Sequence, residues 1–514
     1  MYIPLAALLY TGLVQPLISP PLNWVFLHPF VWIPAFWIYA QLDGRRAFFA
    51  GWLVGLTANL GIFYWLVGTM ESFGGLPSGV ALVIWFLFAA AVGFHSAIFA
   101  WGFGRIRRWA GPWWPVPITV WFCALEFLQP QLFGYLQGVA WYQFPDIFLV
   151  TAFAGVTAMS FIVILANAVL FQLLEARRDR TGFVASGAAV NLAIITAVIG
   201  ASLVYSTARL DAISVAERRA DPLRVALVQP NHTIPRRDEL RAMAPEAFAR
   251  DMIEISYEAL AHAEGIKQLG GIDVYLWPEG ALRADPSQPR NREVLEFVRE
   301  TGAEVWTGAN HYEHRSESEV VSHNAAFRVH GDGLIDHRYD KNLLVPFGEY
   351  VPLRDVIPAF DRIFGVASFE AGTTVPRYRA EATTFVFLIC YEAIHSTFVG
   401  RALTEDVNLI ANVTVDAWYG DSSEQSQHLM LAAVQSALHG IPLLRSTTTG
   451  ISAFVDARGR LLATTDVFTR EAAVGIVRPM RVPSLYSKWG DWLAWVFVAF
   501  SAVLLALTRA HARG

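Results

Sequence analysis

The sequence is short of charge, of cysteine and of nucleotide-binding motifs. Charged residues make up 16% of the 514, with a net charge of -5. No block of Lys and Arg is present that would track a phosphate backbone, so nucleic acid is not an expected partner. No Gly-rich phosphate loop, no GxSxG elbow, no solenoid-type repeat and no low-complexity tract appear. There are two cysteines, Cys123 in the apolar stretch "VWFCALEF" and Cys390 at the end of the run "TTFVFLIC". They lie in halves of different character, so a structural disulfide between them is not expected and Cys390 needs another explanation.

What the chain has in quantity is apolar sequence. Hydrophobic residues are 54% and the mean hydropathy is +0.38, too apolar for an ordinary soluble enzyme. Crossing roughly 30 Å of hydrocarbon takes about 20 residues. Eight runs qualify: 2–18, 21–41, 46–70, 77–103, 111–130, 147–175, 184–207 and 489–509. Pro16, Pro20, Pro21 and Pro29 interrupt the first two. The first run lacks the basic start of a signal peptide and leads straight into more apolar sequence, so it reads as a span.

Arginine placement orients these spans, because cytoplasmic loops collect Lys and Arg. Arg45 and Arg46, then Arg105, Arg107 and Arg108, then Arg177, Arg178 and Arg180 fall in alternate gaps, while "MESFGGLPSG" and "QFPD" contain no basic residue. The pattern predicts cytoplasmic N- and C-termini, with residues 208–488 on the outer side. The expected organisation is a seven-span domain at 1–207, an extracytoplasmic domain at 208–488, and a last span with a cytoplasmic tail at 489–514.

The insert is a different kind of sequence. Short β-type runs such as "LRVALVQPN", "IDVYLWPEG", "TTFVFLICYE" and "VNLIANVT" alternate with helical ones such as "APEAFARDMIEISYEALAHAEGIKQL". Several strands are apolar on consecutive positions, which suits sheets buried on both faces in an α/β layer structure. Strand ends in such folds are where reactive groups gather. Here they present Glu279, Lys341 with Glu349 nearby, and Cys390.

Nucleophilic catalysis by a thiolate fits these groups. A cysteine needs a cation to lower its pKa and a base to take its proton. Lys341 can supply the first and also steady an oxyanion; Glu279 can supply the second. Each residue also has a plainer reading. Cys390 alone would be a buried core thiol, Glu279 a helix cap, and Lys341 a solvated loop cation.

The combination "WPEGA", "DKNLLVPFGEYVP" and "LICYE" resembles the Glu-Lys-Cys triad of the nitrilase, or carbon-nitrogen hydrolase, superfamily over 220–480. With eight apolar spans around such a domain, the chain is similar to the apolipoprotein N-acyltransferases, and "LVPFGEYVPLR" is especially close to their pattern. The resemblance implies a polytopic α-helical membrane domain joined to a nitrilase-like αββα sandwich. It implies Glu279 as general base and acid, Lys341 as charge stabiliser and Cys390 as nucleophile. Glu349 would orient the lysine and the base, while Tyr391 and Glu392 would shape the pocket. Trp418, in "DAWYG", and Tyr350 would contact substrate. It further implies a phospholipid acyl donor, a lipid-modified lipoprotein acceptor, a bacterial inner-membrane location with the catalytic domain periplasmic, and no cofactor.

Departures from the pattern are Gln435, Leu438, Val415 and Gln129, and a tryptophan missing from "PNHTIPRRDEL". His311 and His314 in "HYEH" lack further ligands, and no metal is expected. Residues 353–372 have an amphipathic rhythm that suits either a core helix or an arm dipping into a membrane interface. Two rival readings remain at this level: a membrane-tethered amidase in which water resolves the acyl-enzyme, and a non-catalytic relative acting in binding or assembly.

Overall fold

The computed structural model describes residues 2–130, 132–182, 184, 186–243, 246–266, 269–316, 319–352 and 368–511. Most of the amphipathic stretch at 353–372 therefore lies outside the described residues. Two compact units emerge: a helical one of 1–67, 76–211 and 484–514, and a second of 68–75 and 212–483.

In the helical unit, three described helices are long and apolar enough to cross a membrane: Ser78–Trp113, Val156–Arg178 and Ala188–Arg219. A fourth is added if Gly44–Ile62 and Leu66–Ser72, bent by 50°, count as one. Pro4–Ile18, Pro115–Leu128, Pro145–Ala154 and Trp492–Thr508 are shorter apolar helices. The count expected from apolar runs thus exceeds the count of full-length helices. The run 21–41 shows why. Its regular helix is only Ile33–Tyr39, preceded by a single 3-10 turn at Val25–Leu27. Pro21 and Pro29 offer no backbone N–H and disfavour helical geometry in the residue before them, whereas Pro34 sits in a first helical turn, where it is tolerated. Edge-to-face contacts of Phe122 with Trp32 and Phe99 fill the core of this unit. Asn167 pins the irregular entry by accepting from the Trp32 N–H and donating to the His28 carbonyl.

The second unit holds two six-stranded sheets. The first contains β1 (Leu223–Gln229), β2 (Val274–Leu276), β3 (Glu304–His314), β4 (Val320–Val329), β5 (Tyr339–Asp340) and β12 (Glu471–Val477), in the order β12-β1-β2-β3-β4-β5. The second contains β6 (Tyr378–Ala380), β7 (Thr383–Ile389), β8 (Leu409–Thr414), β9 (Leu443–Thr447), β10 (Ala453–Val455) and β11 (Leu461–Thr464), in the order β11-β10-β9-β8-β7-β6. Parallel pairs form the centre of each sheet and antiparallel pairs its edges.

Two-sided burial explains the consecutive apolar residues. On β1, Val225 and Leu227 face the core between the sheets, with Phe385, Phe387 and Val413 of the other sheet. Their neighbours Ala226 and Val228 pack instead against helices Ala247–Gly265 and Arg292–Thr301. Trp306 is fully buried and stacks on Phe385 with ring centroids 3.6 Å apart, tying the two sheets together. The layers are therefore helix, sheet, sheet, helix, the nitrilase-like architecture expected from the sequence.

Candidate active site

Each expected chemical group sits where a strand gives way to a turn. Glu279 follows β2 through Trp277 and Pro278 and is 5% exposed. Gly308 on β3 makes that position possible, because a Cβ there would fall 2.5 Å from the Glu279 Cα. Lys341 follows β5 and is 1% exposed. Its backbone is fixed on both sides: its N–H donates to the Asn324 carbonyl, and its carbonyl accepts from the Gly372 N–H. Cys390 follows β7 and opens a 3-10 turn, Cys390–Ile394, with φ of +51°. A non-glycine residue in that left-handed region is strained, and it is held there by its surroundings.

The electrostatics revolve around Lys341. Its Nζ lies 2.9 Å from Glu349 and 3.6 Å from Glu279. Asn324 joins the two carboxylates, donating through Nδ2 to Glu279 at 2.6 Å and to Glu349 at 2.8 Å. Burial alone would push the ammonium pKa down, but Glu349, then Glu279, outweigh it and hold Lys341 above its ordinary value. The Cys390 thiol is pushed well up by burial and by Glu279, against a downward pull from Lys341. The thiol is in hydrogen-bond contact with Thr414. Cys390 therefore shares one electrostatic site with Glu279 and Lys341, and at neutral pH it is a protonated thiol that needs a base.

Glu392 holds the Cys390 turn. Its carboxylate accepts from the Ile389 N–H at 2.7 Å, the Asn342 N–H at 2.6 Å, the Leu343 N–H at 3.1 Å and the Tyr339 hydroxyl at 2.7 Å. It thereby ties the Cys390 turn to the loop that follows Lys341. Burial pushes this carboxyl up to about 7, held back by the Ile389, Tyr339 and Asn342 donors and by the Lys341 charge.

The sequence profile of the carbon-nitrogen hydrolase family matches residues 224–482, half of the chain and essentially all of the two-sheet unit. The chain belongs to the carbon-nitrogen hydrolase family. Ahead of that domain, the profile of the apolipoprotein N-acyltransferase N-terminal domain matches residues 11–169. Apolipoprotein N-acyltransferase of Geobacter metallireducens is 28% identical over 497 residues, covering 94% of this chain and 91% of its own. That of Haemophilus influenzae is 26% identical over 509 residues, covering 95% and 88%. Among solved structures, Saccharomyces cerevisiae Nit3, a member of branch 10 of the nitrilase superfamily, aligns with 50% of this chain and 90% of its own, at 12% identity and a TM-score of 0.38.

Around Glu279, Lys341 and Cys390, Tyr391 is buried with its ring 4.2 Å from that of His395. Tyr350 is half-buried and lies near enough to Tyr391 to influence its hydroxyl. Trp418 is half-buried and meets Phe73 edge to face. The departures have structural roles. Gln435 donates to the Ser396 hydroxyl at 3.0 Å, Leu438 is fully buried, and Val415 is buried beside Asp416.

Sequence reasoning missed Asn324, Arg445 and His428. Arg445, fully buried on β9, donates to Asn412 at 2.7 Å and to Asp416 at 2.8 Å. His428 meets the Cys390 carbonyl through Nε2 at 3.4 Å. Asp416, Glu424 and His428 bring ligand-type atoms within 4.8 Å of one another. Burial alone would raise the Asp416 carboxyl, but Arg445 and His428 hold it well below the carboxylate range. Asp416 thus already has an internal cation, so this group reads as a support for the Cys390 turn. His311 pairs with Asp285 at 3.2 Å, while His314 is exposed.

Proposed function

We propose that this protein is an integral membrane acyltransferase. It moves a fatty acyl chain from a phospholipid, through a Cys390 thioester, to the α-amino group of the lipid-modified N-terminal cysteine of a lipoprotein. The observation that carries this reading is one buried ammonium, Lys341, set between two carboxylates in the field of the Cys390 thiol. The match of residues 11–169 to the N-terminal domain of apolipoprotein N-acyltransferases, and of the whole chain to enzymes of that name, supports the donor and acceptor classes.

In the first half-reaction Glu279 takes the thiol proton as Sγ attacks the ester carbonyl. Lys341 and backbone N–H groups of the nucleophile turn stabilise the oxyanion, a contribution usually worth about 100- to 1,000-fold in rate. The carbon-oxygen bond breaks and Glu279 returns the proton to the leaving lysophospholipid. In the second half-reaction the neutral amine attacks the thioester, Glu279 accepts the amine proton, the carbon-sulfur bond breaks, and Glu279 passes the proton to the leaving thiolate, so that the amide is released with the Cys390 thiol and the Glu279 carboxylate restored. Splitting the transfer in two means that neither lipid has to meet the other. Trp418 and Tyr350 contact the substrates.

The proposal includes about eight spans, cytoplasmic termini and a periplasmic catalytic domain at 208–488, on the strength of the arginine pattern. Purified protein with phospholipid and a diacylglyceryl-cysteine peptide tests the activity. Formation of N-acyl peptide, abolished in Cys390→Ala, is the expected result. Release of free fatty acid with no N-acyl product would favour the water-resolved hydrolase instead.

A further inference from the structure

Behind the Cys390 turn, four ionisable side chains meet away from water. Asp416, Glu424, His428 and Arg445 are each no more than 4% exposed. Two of the charges cancel, because Arg445 lies 2.8 Å from Asp416. The other two groups stand one turn apart on the helix Glu424–His439, with Glu424 Oε1 3.6 Å from His428 Nδ1. A lone buried charge is costly, so Glu424 and His428 together are neutral and hold one acidic proton between them. Burial, then Asp416, push the Glu424 carboxyl well above the carboxylate range. Burial, then Arg445, pull the His428 imidazole down against an upward pull from Asp416. The resting seat of the shared proton is therefore Glu424.

The imidazole meets more acceptors than it has hydrogens. Nε2 faces the Cys390 carbonyl at 3.4 Å, and Nδ1 faces Asp416 Oδ1 at 3.2 Å as well as Glu424. A carbonyl and a carboxylate only accept, so each ring nitrogen needs a hydrogen, and the neutral ring has one. With it on Nε2, Nδ1 points a lone pair at Asp416. With it on Nδ1, the ring gives the Cys390 carbonyl no donor. The second hydrogen is on Glu424, whose Oε2 has no hydrogen-bond partner among the described residues. Besides the thiol, His395 and Tyr419 are the other ionisable groups in the field of this cluster. Burial keeps both of them uncharged at neutral pH.

We propose that His428 is a positioning residue for Cys390, protonated on its second nitrogen by Glu424. The O–H bond of Glu424 breaks, an N–H bond forms at Nδ1, and the imidazolium then donates to Asp416 and to the Cys390 carbonyl at once. Hydrogen bonds from a charged donor are roughly twice as strong as neutral ones, so the carbonyl contact, longer than the usual N–H···O distance of about 2.9 Å, closes. The left-handed Cys390 backbone is held more firmly, and a positive charge stands behind the thiol as it ionises. One proton moves, and Asp416 and Arg445 keep their charges. The part this plays in turnover rests on the acyl-transfer reading above, whereas ionisation of the Cys390 thiol is measured without any acyl group.

The test is alkylation of Cys390 by iodoacetamide at pH 8, in the full-length chain in detergent, read by mass spectrometry of the Cys390 peptide. Glutamine at position 424 keeps the shape of the side chain and has no proton to give. Glu424→Gln is expected to slow alkylation about tenfold, the effect of raising the thiol pKa by about one. His428→Gln, which offers the carbonyl only a neutral donor, should slow it likewise. The double variant should be no slower than either single one, because each removes the same proton transfer. N-acyl transfer by the same proteins should lose kcat with KM unchanged. If the parent shows no transfer at all, the acyl-transfer reading fails, and the alkylation rates still decide this inference. Glu424→Gln alkylated at the parent's rate overturns it, as does a double variant slowed by the product of the two single effects, since a packing role would give either result. Should Glu424→Gln fail to fold, His428→Gln decides, and alkylation at the parent's rate overturns the inference.

Discussion

Replacing Lys341 by methionine removes a cation and keeps the length of the side chain. In the wild type this ammonium is 1% exposed, 2.9 Å from Glu349 and 3.6 Å from Glu279. Without it, two buried carboxylates face each other across Asn324. Breaking a buried ionic group in this way costs about 3–5 kcal/mol, because the remaining charge is stranded. Melting should therefore fall by about 10 °C at pH 8, at roughly 2–4 °C per kcal/mol for a domain of this size. In the variant one carboxylate must hold a proton that folding itself favours, so its folded pKa lies above the unfolded value of about 4.3. Stability tied to such a group is fully present below the unfolded pKa and is lost as pH rises through the folded one. The deficit should accordingly shrink as pH falls from 8 to 5, and Glu349→Gln added to Lys341→Met should recover more than about 1 kcal/mol. Scanning fluorimetry across pH is the assay. A Lys341→Met protein that melts within about 2 °C of wild type at pH 8, or whose deficit grows toward pH 5, would refute the reasoning.

Further expectations concern the thiol, its turn and the base. Burial and Glu279 hold the Cys390 thiol up, so its alkylation by iodoacetamide should climb about tenfold per pH unit from 7 to 9 with no plateau; a plateau below pH 9 contradicts this. Glu279→Gln removes an anion that raises the thiol, so alkylation at pH 9 should speed up while acyl transfer is lost; slower alkylation would show that the Coulombic sign is wrong. Glu392→Ala strands four donors, at about 1–3 kcal/mol for each that water cannot reach, and should cost at least about 3 kcal/mol in denaturant unfolding. Gly308→Ala should displace Glu279 and lower the transfer rate about 100-fold, with far-UV circular dichroism unchanged; full activity would mean that the close approach is not required.

The two-sheet architecture was legible because burial on two faces leaves a mark in the sequence. Val225 to Val228 are apolar without a break, and the structure places alternate residues in two different cores. Glu279 and Cys390 were visible because each ends an apolar run, after β2 and β7, whereas Lys341 stood out only through its place in the stretch "DKNLLVPFGEYVP". What joins the three was not visible. Asn324 lies 45 residues from Glu279 and 25 from Glu349, and it meets both only once β4 is laid beside its neighbours. The available signal was a polar step, Ser322-His323-Asn324, in the middle of β4. Arg445 and His428 were hidden similarly, since their partners Asp416 and the Cys390 carbonyl come from other strand ends. In the helical unit, hydropathy located apolar segments but not helix length. It scores an apolar run without regard to Pro21 and Pro29, which confine the regular helix of the second run to Ile33–Tyr39.

The central claim is that Cys390 carries an acyl chain. Incubating the purified protein with phospholipid and no acceptor, then measuring intact mass, tests it most directly. The account predicts an adduct of one acyl group that hydroxylamine removes, that is missing in Cys390→Ala, and that disappears when a diacylglyceryl-cysteine peptide is added. An adduct of the same mass in Cys390→Ala, or none in the wild type with any phospholipid class while N-acyl peptide is still produced, would contradict it.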